Sequence, residues 1–256
     1  MSEAEQQFHG VRVTGSPARA THLRGRAQVA CSNCSLHELC LSSGLDEVDL
    51  KAIDQIVAQR RRIPKGEALF GVGDTFRSIY AVRFGLFKTE GLMPDGREQV
   101  TGFQMAGELL GLDGIGTERH ACKAVALEDS EVCVIPFAEM ESLGRAVPAL
   151  QHNLHKVMSR EMVQDRNLLV LLGSAQAAER LAAFLLNLSQ RNAQRGYSAS
   201  EFILRMTRDE IGSYLGLTPE TVSRTFTKLQ KDSLIEVAQK HIRIPDLAAL
   251  RAFIGC

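Results

Sequence analysis

The sequence has no tryptophan, and aromatic residues make up only 5% of its 256 residues. Surfaces that stack sugars or bases need aromatic rings, so a sugar-binding or base-stacking platform is not expected. The 30 basic and 30 acidic residues cancel, and no overall basic field favours nucleic acid. Any DNA binding must therefore come from a local surface.

The sequence also lacks a long hydrophobic run. Its longest apolar stretch, Asn167 to Gly173, is far shorter than the roughly 20 residues of a membrane-spanning helix. The N-terminal residues include acids and lack the apolar segment of a signal peptide. These absences predict a cytoplasmic protein with no membrane partner, in which thiols stay reduced. The six cysteines are then better explained as metal ligands or reactive thiols than as disulfides.

Three of the cysteines, Cys31, Cys34 and Cys40, lie close together in the spacing C-x₂-C-x₅-C. Three thiolates this near in sequence can converge on one metal centre with only a local loop to fold. The spacing alone favours an iron–sulfur cluster and the alternatives of zinc or redox thiols about equally. For zinc, His37 could complete a Cys₃His set.

The pattern of apolar residues divides the rest of the chain. Between Ile63 and Phe137, short β-branched or apolar runs alternate with turn signals such as Pro94-Asp95-Gly96, which is typical of a β-sandwich or barrel. From about 147 to 172, apolar residues recur at steps of three and four, which predicts a long amphipathic helix. A helix of this length cannot bury its apolar stripe within one small domain. A symmetric partner helix would bury it, so we expect a homodimer.

Two acids, Glu161 and Asp165, interrupt this apolar stripe. Both carboxylates could lie at the edge of the stripe and reach water. Alternatively, Asp165 lies near a two-fold axis, where two like charges disfavour the dimer. In that interpretation Met162 and Asp165 form a dimer switch.

The C-terminal region predicts a helix-turn-helix followed by a β-hairpin wing. Thr207 and Glu210 form a capping box at the first helix, and Pro219 begins the second. The outward face of the second helix carries the residues expected to contact DNA: Glu220, Thr221, Ser223, Arg224 and Lys228.

These side chains suit different parts of DNA. Arg224 can donate two hydrogen bonds to guanine, and Glu220 can accept one from cytosine or instead orient Arg224. Ser223 is small enough for close approach to a base. Thr221 and Lys228 suit phosphates. A dimer of such helices is expected to read an inverted repeat in double-stranded DNA.

Several segments resemble the FNR group of oxygen sensors within the CRP/FNR superfamily of bacterial transcription regulators. They are C-S-N-C-S-L-H-E-L-C, E-Q-V-T-G-F, E-V-C-V-I-P-F, A-A-E-R-L-A-A-F-L-L-N-L-S and M-T-R-D-E-I-G-S-Y-L-G-L-T-P-E-T-V-S-R. The resemblance extends from Cys31 to about Ile244.

This resemblance implies an α+β fold. Residues 1–29 lack periodicity and are rich in Gln, Arg, Gly and Ser, which predicts a flexible tail. After a cysteine segment at 30–45, the resemblance implies an N-terminal β-roll sensor domain, cyclic-nucleotide-binding-like, at 46–144. A long dimerisation helix is expected at 145–173 and a C-terminal winged helix-turn-helix at 174–256.

The resemblance further implies an oxygen-responsive global transcription regulator and not an enzyme. In the group, three N-terminal cysteines and one from the β-roll hold a 4Fe-4S cluster. With the cluster intact the protein dimerises, binds a palindromic promoter site and acts on RNA polymerase; oxygen destroys the cluster and releases the DNA. Cys133 lies in the matching run E-V-C-V-I-P-F, whereas Cys122 has no counterpart, so the implied ligands are Cys31, Cys34, Cys40 and Cys133.

Two alternatives stay open. The first is a CRP-like regulator with another effector: a cyclic nucleotide, zinc or thiol redox. Relatives that bind cyclic AMP use a Gly-Glu pair and an Arg-Ser pair; aligning Gly111 with that glycine puts Leu112 in the Glu position, and His120 follows Arg119. A ribose hydroxyl left without its acceptor is costly, which disfavours a nucleotide. The second is an iron–sulfur electron-transfer protein, for which no GxGxxG, P-loop or nucleophile elbow provides a second redox or substrate site.

Overall fold

The structure is a computed structural model that describes residues 31–57 and 59–255. The expected flexible tail at 1–29 and Cys256 lie outside the described residues. After the cysteine segment comes α1 (Glu47–Ile56). Asp46 caps this helix, because its side chain accepts hydrogen bonds from the backbone N–H groups of Val48 and Asp49 at 2.9 Å.

Eight strands form the N-terminal domain. They are β1 (Gln59–Ile63), β2 (Ala68–Phe70), β3 (Ser78–Phe84), β4 (Leu86–Leu92), β5 (Glu98–Met105), β6 (Leu109–Leu110), β7 (Cys122–Ala126) and β8 (Ser130–Pro136). They make two four-stranded antiparallel sheets, ordered β1-β8-β3-β6 and β2-β7-β4-β5. Apolar side chains from both sheets share one core, which is the β-roll that the sequence predicted.

One turn of the roll requires glycine. Gly85 joins β3 to β4 with φ of +93°, and a Cβ at this position would meet the side chain of Ser130. The left-handed backbone and the close approach of β8 both exclude larger residues here.

The roll leads into α2 (Phe137–Ala146) and α3 (Pro148–Ser174). The start of α3 is buried, since Leu150 and Leu154 are 1% and 8% exposed. Farther along, Met162 and Leu169 are 54% and 69% exposed. The predicted long helix is therefore confirmed, and its second half presents apolar side chains to the outside. Within the described residues, no helix is both long and apolar enough to cross a membrane.

The C-terminal domain combines helices with a small sheet. It contains α4 (Ala177–Gln194), β9 (Glu201–Ile203), α5 (Arg208–Leu215), α6 (Pro219–Lys231), β10 (Glu236–Ala238), β11 (His241–Arg243) and α7 (Leu247–Phe253). The antiparallel sheet has the order β10-β11-β9. Helices α5 and α6 form the predicted helix-turn-helix, and β10 and β11 form the wing, so the predicted fold class is confirmed.

The β-roll packs directly on the C-terminal domain. The ring of Phe103 on β5 lies 5.2 Å from that of Tyr214 and 5.9 Å from that of Phe184. The backbone N–H of Val100 donates to Ser213 Oγ at 2.9 Å. Apolar residues of β4 and β5 consequently belong to the same buried cluster as the core of the helix-turn-helix.

Candidate cysteine centre and nucleic-acid interface

The cysteine segment is a series of tight turns. The N–H of Cys34 donates to the carbonyl of Cys31 at 3.0 Å, and the N–H of Ser43 donates to that of Cys40 at 3.1 Å. A short 3-10 helix, His37–Leu39, lies between them. The ring nitrogens of His37 already have partners, because Nδ1 lies 2.9 Å from the Cys34 carbonyl and Nε2 lies 2.9 Å from Glu38 Oε1.

The tertiary structure brings one distant cysteine to this segment. Cys31, Cys34, Cys40 and Cys133 all line one small apolar cavity. Cys133 reaches it from the middle of β8, where it pairs with Arg60 of β1 and with Ala81 of β3. The antiparallel register of this sheet thus carries a thiol to the cysteine segment from about a hundred residues away in sequence.

Cys122 lies elsewhere, on β7 of the other sheet. Its Sγ donates to Asp113 Oδ2 at 3.4 Å, and its backbone N–H donates to the same oxygen at 3.1 Å. Burial and the Asp113 carboxylate raise the pKa of the Cys122 thiol to about 12. Cys122 is therefore a protonated thiol with its own hydrogen-bond partner.

Three of the thiols that share the cavity, those of Cys31, Cys40 and Cys133, are hard to ionise on their own. Burial raises the pKa of Cys40 to about 11. Burial, helped by nearby Cys40 and Asp54, also raises the pKa of Cys31. Burial raises the pKa of Cys133 as well, against the opposing charge of Arg60. A thiolate here needs a cation, and binding one would release protons.

Four cysteine thiols around one cavity are a donor set that both zinc and iron–sulfur clusters use. Across 31–57 and 59–255, no group of three or more His, Cys, Asp or Glu side chains is positioned to hold one metal ion. In a zinc site each cysteine sulfur lies about 2.3 Å from the same zinc ion. In an iron–sulfur cluster each cysteine binds a different iron, so the cysteine sulfurs lie farther from one another than in a zinc site. Four thiols around one apolar cavity supply the number and type of ligands that a cluster needs.

The predicted switch residues lie on the exposed face of α3. Met162 is 54% exposed, and Asp165 is exposed three residues farther on, before Leu169. Steps of three and four place these three side chains on one side of the helix. Asp165 therefore interrupts an apolar face, as the sequence predicted, and partial desolvation by its neighbours raises the pKa of its carboxyl.

Glu161 takes a different position. Its side chain is half-buried beside the cavity between α3 and the β-roll. Burial raises the pKa of Glu161 to about 7, and the nearby carboxylates of Glu108 and Asp165 add to the rise.

The predicted DNA-contacting residues lie on α6. Glu220, Ser223, Arg224 and Lys228 are exposed, and Thr221 is half-buried. The opposite side of α6 is buried against the domain core through Val222, Thr225, Phe226 and Leu229.

The start of α6 is held by local hydrogen bonds. Thr218 caps the helix by accepting from the N–H of Thr221 at 3.3 Å. Arg224 Nη2 donates to Thr221 Oγ1 at 3.3 Å, so Thr221 rather than Glu220 holds the guanidinium. The pKa of Glu220 is lowered by hydrogen bonds from the backbone N–H of Glu220 and from the Thr218 hydroxyl. This carboxylate therefore stays ionised.

The turn before α6 depends on one small residue. A Cβ on Gly212 would lie 2.5 Å from the carbonyl oxygen of Leu217. Glycine at this position lets α5 approach the turn closely, and Gly216 at φ +64° ends α5. The two glycines thus permit the tight turn between α5 and α6.

Besides the absence of the Gly-Glu and Arg-Ser pairs, two charged groups of this region, Glu108 and Arg119, already have protein partners. Glu108 accepts hydrogen bonds from Arg191 and Arg195 at 2.5–3.0 Å. Arg119 donates to the carbonyl of Gly73 at 2.8 Å. The neighbouring cavity, of about 570 Å³, is lined by the carboxyl groups of Glu161 and Asp165 and by Arg191.

Comparison with known proteins agrees with this architecture. A cyclic nucleotide-binding domain model matches residues 60–146, and a Crp-like helix-turn-helix domain model matches residues 179–253. The transcriptional activator protein Anr of Pseudomonas protegens is 47% identical over 233 residues, covering 91% of this chain and 96% of its own length. The chain belongs to the FNR group of the CRP/FNR superfamily.

Other relatives of this FNR-group chain agree. The fumarate and nitrate reduction regulatory protein of Escherichia coli (strain K12) is 43% identical over 231 residues, covering 90% of this chain and 92% of its own length. The structure of FixK2 from Bradyrhizobium japonicum superposes with a TM-score of 0.70 at 27% identity, covering 76% of this chain and 96% of FixK2. The FNR-group chain is therefore a transcription regulator, and its Crp-like helix-turn-helix indicates DNA binding.

Proposed function

We propose that this FNR-group protein is an oxygen-responsive global transcription regulator. In this proposal, Cys31, Cys34, Cys40 and Cys133 hold a 4Fe-4S cluster in the absence of oxygen. The loaded protein forms a homodimer that binds an inverted-repeat promoter site and acts on RNA polymerase. Loss of the cluster in air separates the subunits and releases the DNA.

The observation that carries the proposal is the meeting of four thiols. Cys133 lies on the same cavity wall as the three cysteines of the N-terminal segment, whereas Cys122 is bonded to Asp113 on the other sheet. Four cysteines are the ligand set that iron–sulfur clusters use. When bound, such a cluster supplies a redox centre that oxygen can attack.

The surrounding residues support the ligands in two ways. Asp54 on α1 accepts hydrogen bonds from the backbone N–H of Cys31 and from Ser32 Oγ, which fixes the first turn of the segment. Apolar side chains, including Leu41 and Ile53, cover the cavity and exclude water. The segment is thereby shaped in advance by the protein around it.

The cysteine segment also contacts the dimerisation helix. Leu41, which follows Cys40, belongs to one buried cluster with Leu150 and Leu154 of α3. Farther along the same helix, Asp165 interrupts the exposed apolar face. In a dimer two such carboxylates would repel each other, so pairing requires an added contribution from the loaded cysteine segment.

The output of the switch is DNA binding by α6. We propose that Arg224 reads guanine, with Glu220 and Ser223 near neighbouring bases and Thr221 and Lys228 near phosphates. One helix of this length contacts only a half-site, and the full affinity needs two. Pairing of subunits therefore controls DNA binding. We propose that this activity is cytoplasmic, because that compartment keeps cysteine thiols reduced and holds the DNA.

The test uses the full chain purified without oxygen. Iron, sulfide and zinc are counted, the visible spectrum is recorded, and binding to an inverted-repeat DNA is measured before and after exposure to air. We expect iron and sulfide in equal amounts and DNA binding that disappears in air. Stoichiometric zinc without sulfide, or binding that is unchanged by air, would refute the proposal.

A further inference from the structure

A buried amide joins the cysteine segment to α3. Asn153 is 8% exposed and lies between the apolar residues Leu150 and Leu154. An amide in such surroundings is costly unless it is hydrogen-bonded. Its Nδ2 group donates to the carbonyl of Leu41 at 2.9 Å and to that of Ser43 at 2.7 Å. Both acceptors follow closely after Cys40.

These hydrogen bonds differ in kind from the other contacts of the segment. Its first turn is held by Asp54, which belongs to α1 and not to α3. Its apolar contacts with α3, such as that of Leu41 with the Leu150 cluster, have no directional preference. Among the described residues, the bonds of Asn153 are the side-chain hydrogen bonds that join the segment to α3. These two hydrogen bonds fix the position of the backbone after Cys40 relative to α3.

We propose that Asn153 is the positioning residue that transmits the state of the cysteine segment to the dimer face. This inference rests on the proposed function. A shift of Cys40 moves the carbonyls of Leu41 and Ser43, and the two bonds pass that shift to α3. The helix is continuous from Asn153 to Met162, about 14 Å along its axis at 1.5 Å per residue. A small tilt or rotation of α3 at Asn153 therefore changes the contacts that Met162 and Asp165 make with a partner subunit.

The test compares three substitutions in the full chain. Asn153→Ala removes both bonds, Asn153→Gln keeps an amide, and Asn167→Ala removes an exposed asparagine from the same helix. Anaerobic samples are analysed by sedimentation for the dimer dissociation constant, and iron and sulfide are counted in the same samples. We expect Asn153→Ala to keep its iron and to weaken the dimer about tenfold, equivalent to about 1.4 kcal/mol. Asn167→Ala should match the wild type, and Asn153→Gln should recover part of the loss.

A second measurement needs no cluster. In the metal-free proteins, hydrogen exchange of the backbone amides of residues 41–45 should be faster in Asn153→Ala than in Asn167→Ala. Circular dichroism establishes that each variant is folded.

Three results are decisive in different ways. If Asn153→Ala that holds iron and sulfide dimerises with the wild-type dissociation constant, the proposed role of Asn153 is wrong. A loss of iron that accounts for the whole loss of dimer also overturns it, because Asn153 would then only support the ligands. A wild-type protein that binds no iron and sulfide refutes the proposed function itself, and the wild-type sample alone reveals this.

Discussion

The thiol of Cys122 donates a hydrogen bond to the carboxylate of Asp113, with 3.4 Å between Sγ and Oδ2. This contact gives Cys122 a structural role within the β-roll and leaves Cys133 as the β-roll cysteine on the wall of the N-terminal cavity. Both cysteines are half-buried, and they differ in what surrounds them.

The difference between Cys122 and Cys133 predicts opposite effects of the same substitution. Cys133→Ser should abolish assembly of the cluster, because a serine hydroxyl is a poor ligand for iron beside three thiolates. Cys122→Ser should retain full iron and sulfide, since a hydroxyl can also donate to Asp113. Both contents are measured on anaerobically purified protein. A full cluster in Cys133→Ser together with its loss in Cys122→Ser would show that the assignment is wrong.

Replacing Asp165 by alanine should stabilise the dimer even in air. One like-charge contact costs on the order of 1–4 kcal/mol at partly exposed sites, so the dissociation constant should fall by about tenfold or more. Analytical ultracentrifugation of air-exposed protein measures it. Glu139→Ala, which removes an exposed acid of α2, is the control and should leave the constant unchanged. An Asp165→Ala protein that stays monomeric in air would contradict the repulsion argument.

Arg224 and Lys228 should differ in how their loss affects DNA binding. Arg224→Ala should cost about 1–3 kcal/mol at one guanine and relax specificity at that base pair. Lys228→Ala should weaken binding to all sequences similarly and lower the salt dependence by about one unit of slope. Titrations against a set of single-base variants at several salt concentrations separate the two effects. Unchanged specificity in Arg224→Ala would exclude it as a base-reading residue.

The raised pKa of Glu161 predicts a pH-dependent stability. The carboxyl group of Glu161 has a pKa of about 7 in the folded chain, above its ordinary value of 4.5. The folded state therefore holds the proton more tightly, and stability declines as pH rises from about 4.5 to about 7.

The substitution Glu161→Gln should remove this decline. We expect it to stabilise the metal-free protein at pH 8 by about 2 kcal/mol, since residual exposure reduces the full effect of the shift. At pH 4.5 the two proteins should be alike. Urea unfolding at both pH values measures the difference, and an equal effect at each would show that burial of this charge is not the cause.

Much of the fold could be predicted because its signals are local. The capping box of Thr207 and Glu210 and the Pro219 at the start of α6 are short-range features, and the structure has both. The predicted helix at 147–172 corresponds to α3, which ends two residues later at Ser174.

Some elements were not predicted. Helices α1, α2 and α7 are short, and each buries only one or two side chains, such as Ile53 in α1 and Leu250 in α7. Over seven to ten residues, the lengths of these helices, apolar periodicity separates a helix from a strand or loop poorly. The orientation of Arg224 also differs from one predicted alternative, because its guanidinium donates to Thr221 rather than to the carboxylate of Glu220.

The sequence by itself determined the features that depend on neighbouring residues: the spacing of Cys31, Cys34 and Cys40, the stripe of α3 and the exposed face of α6. Only the tertiary structure decided which distant groups meet. The register of β8 carries Cys133 to the cysteine segment, and burial of Asn153 on α3 directs its amide to the backbone after Cys40. Contacts of this kind depend on how sheets and helices pack, and the packing is not encoded in the spacing of residues along the chain.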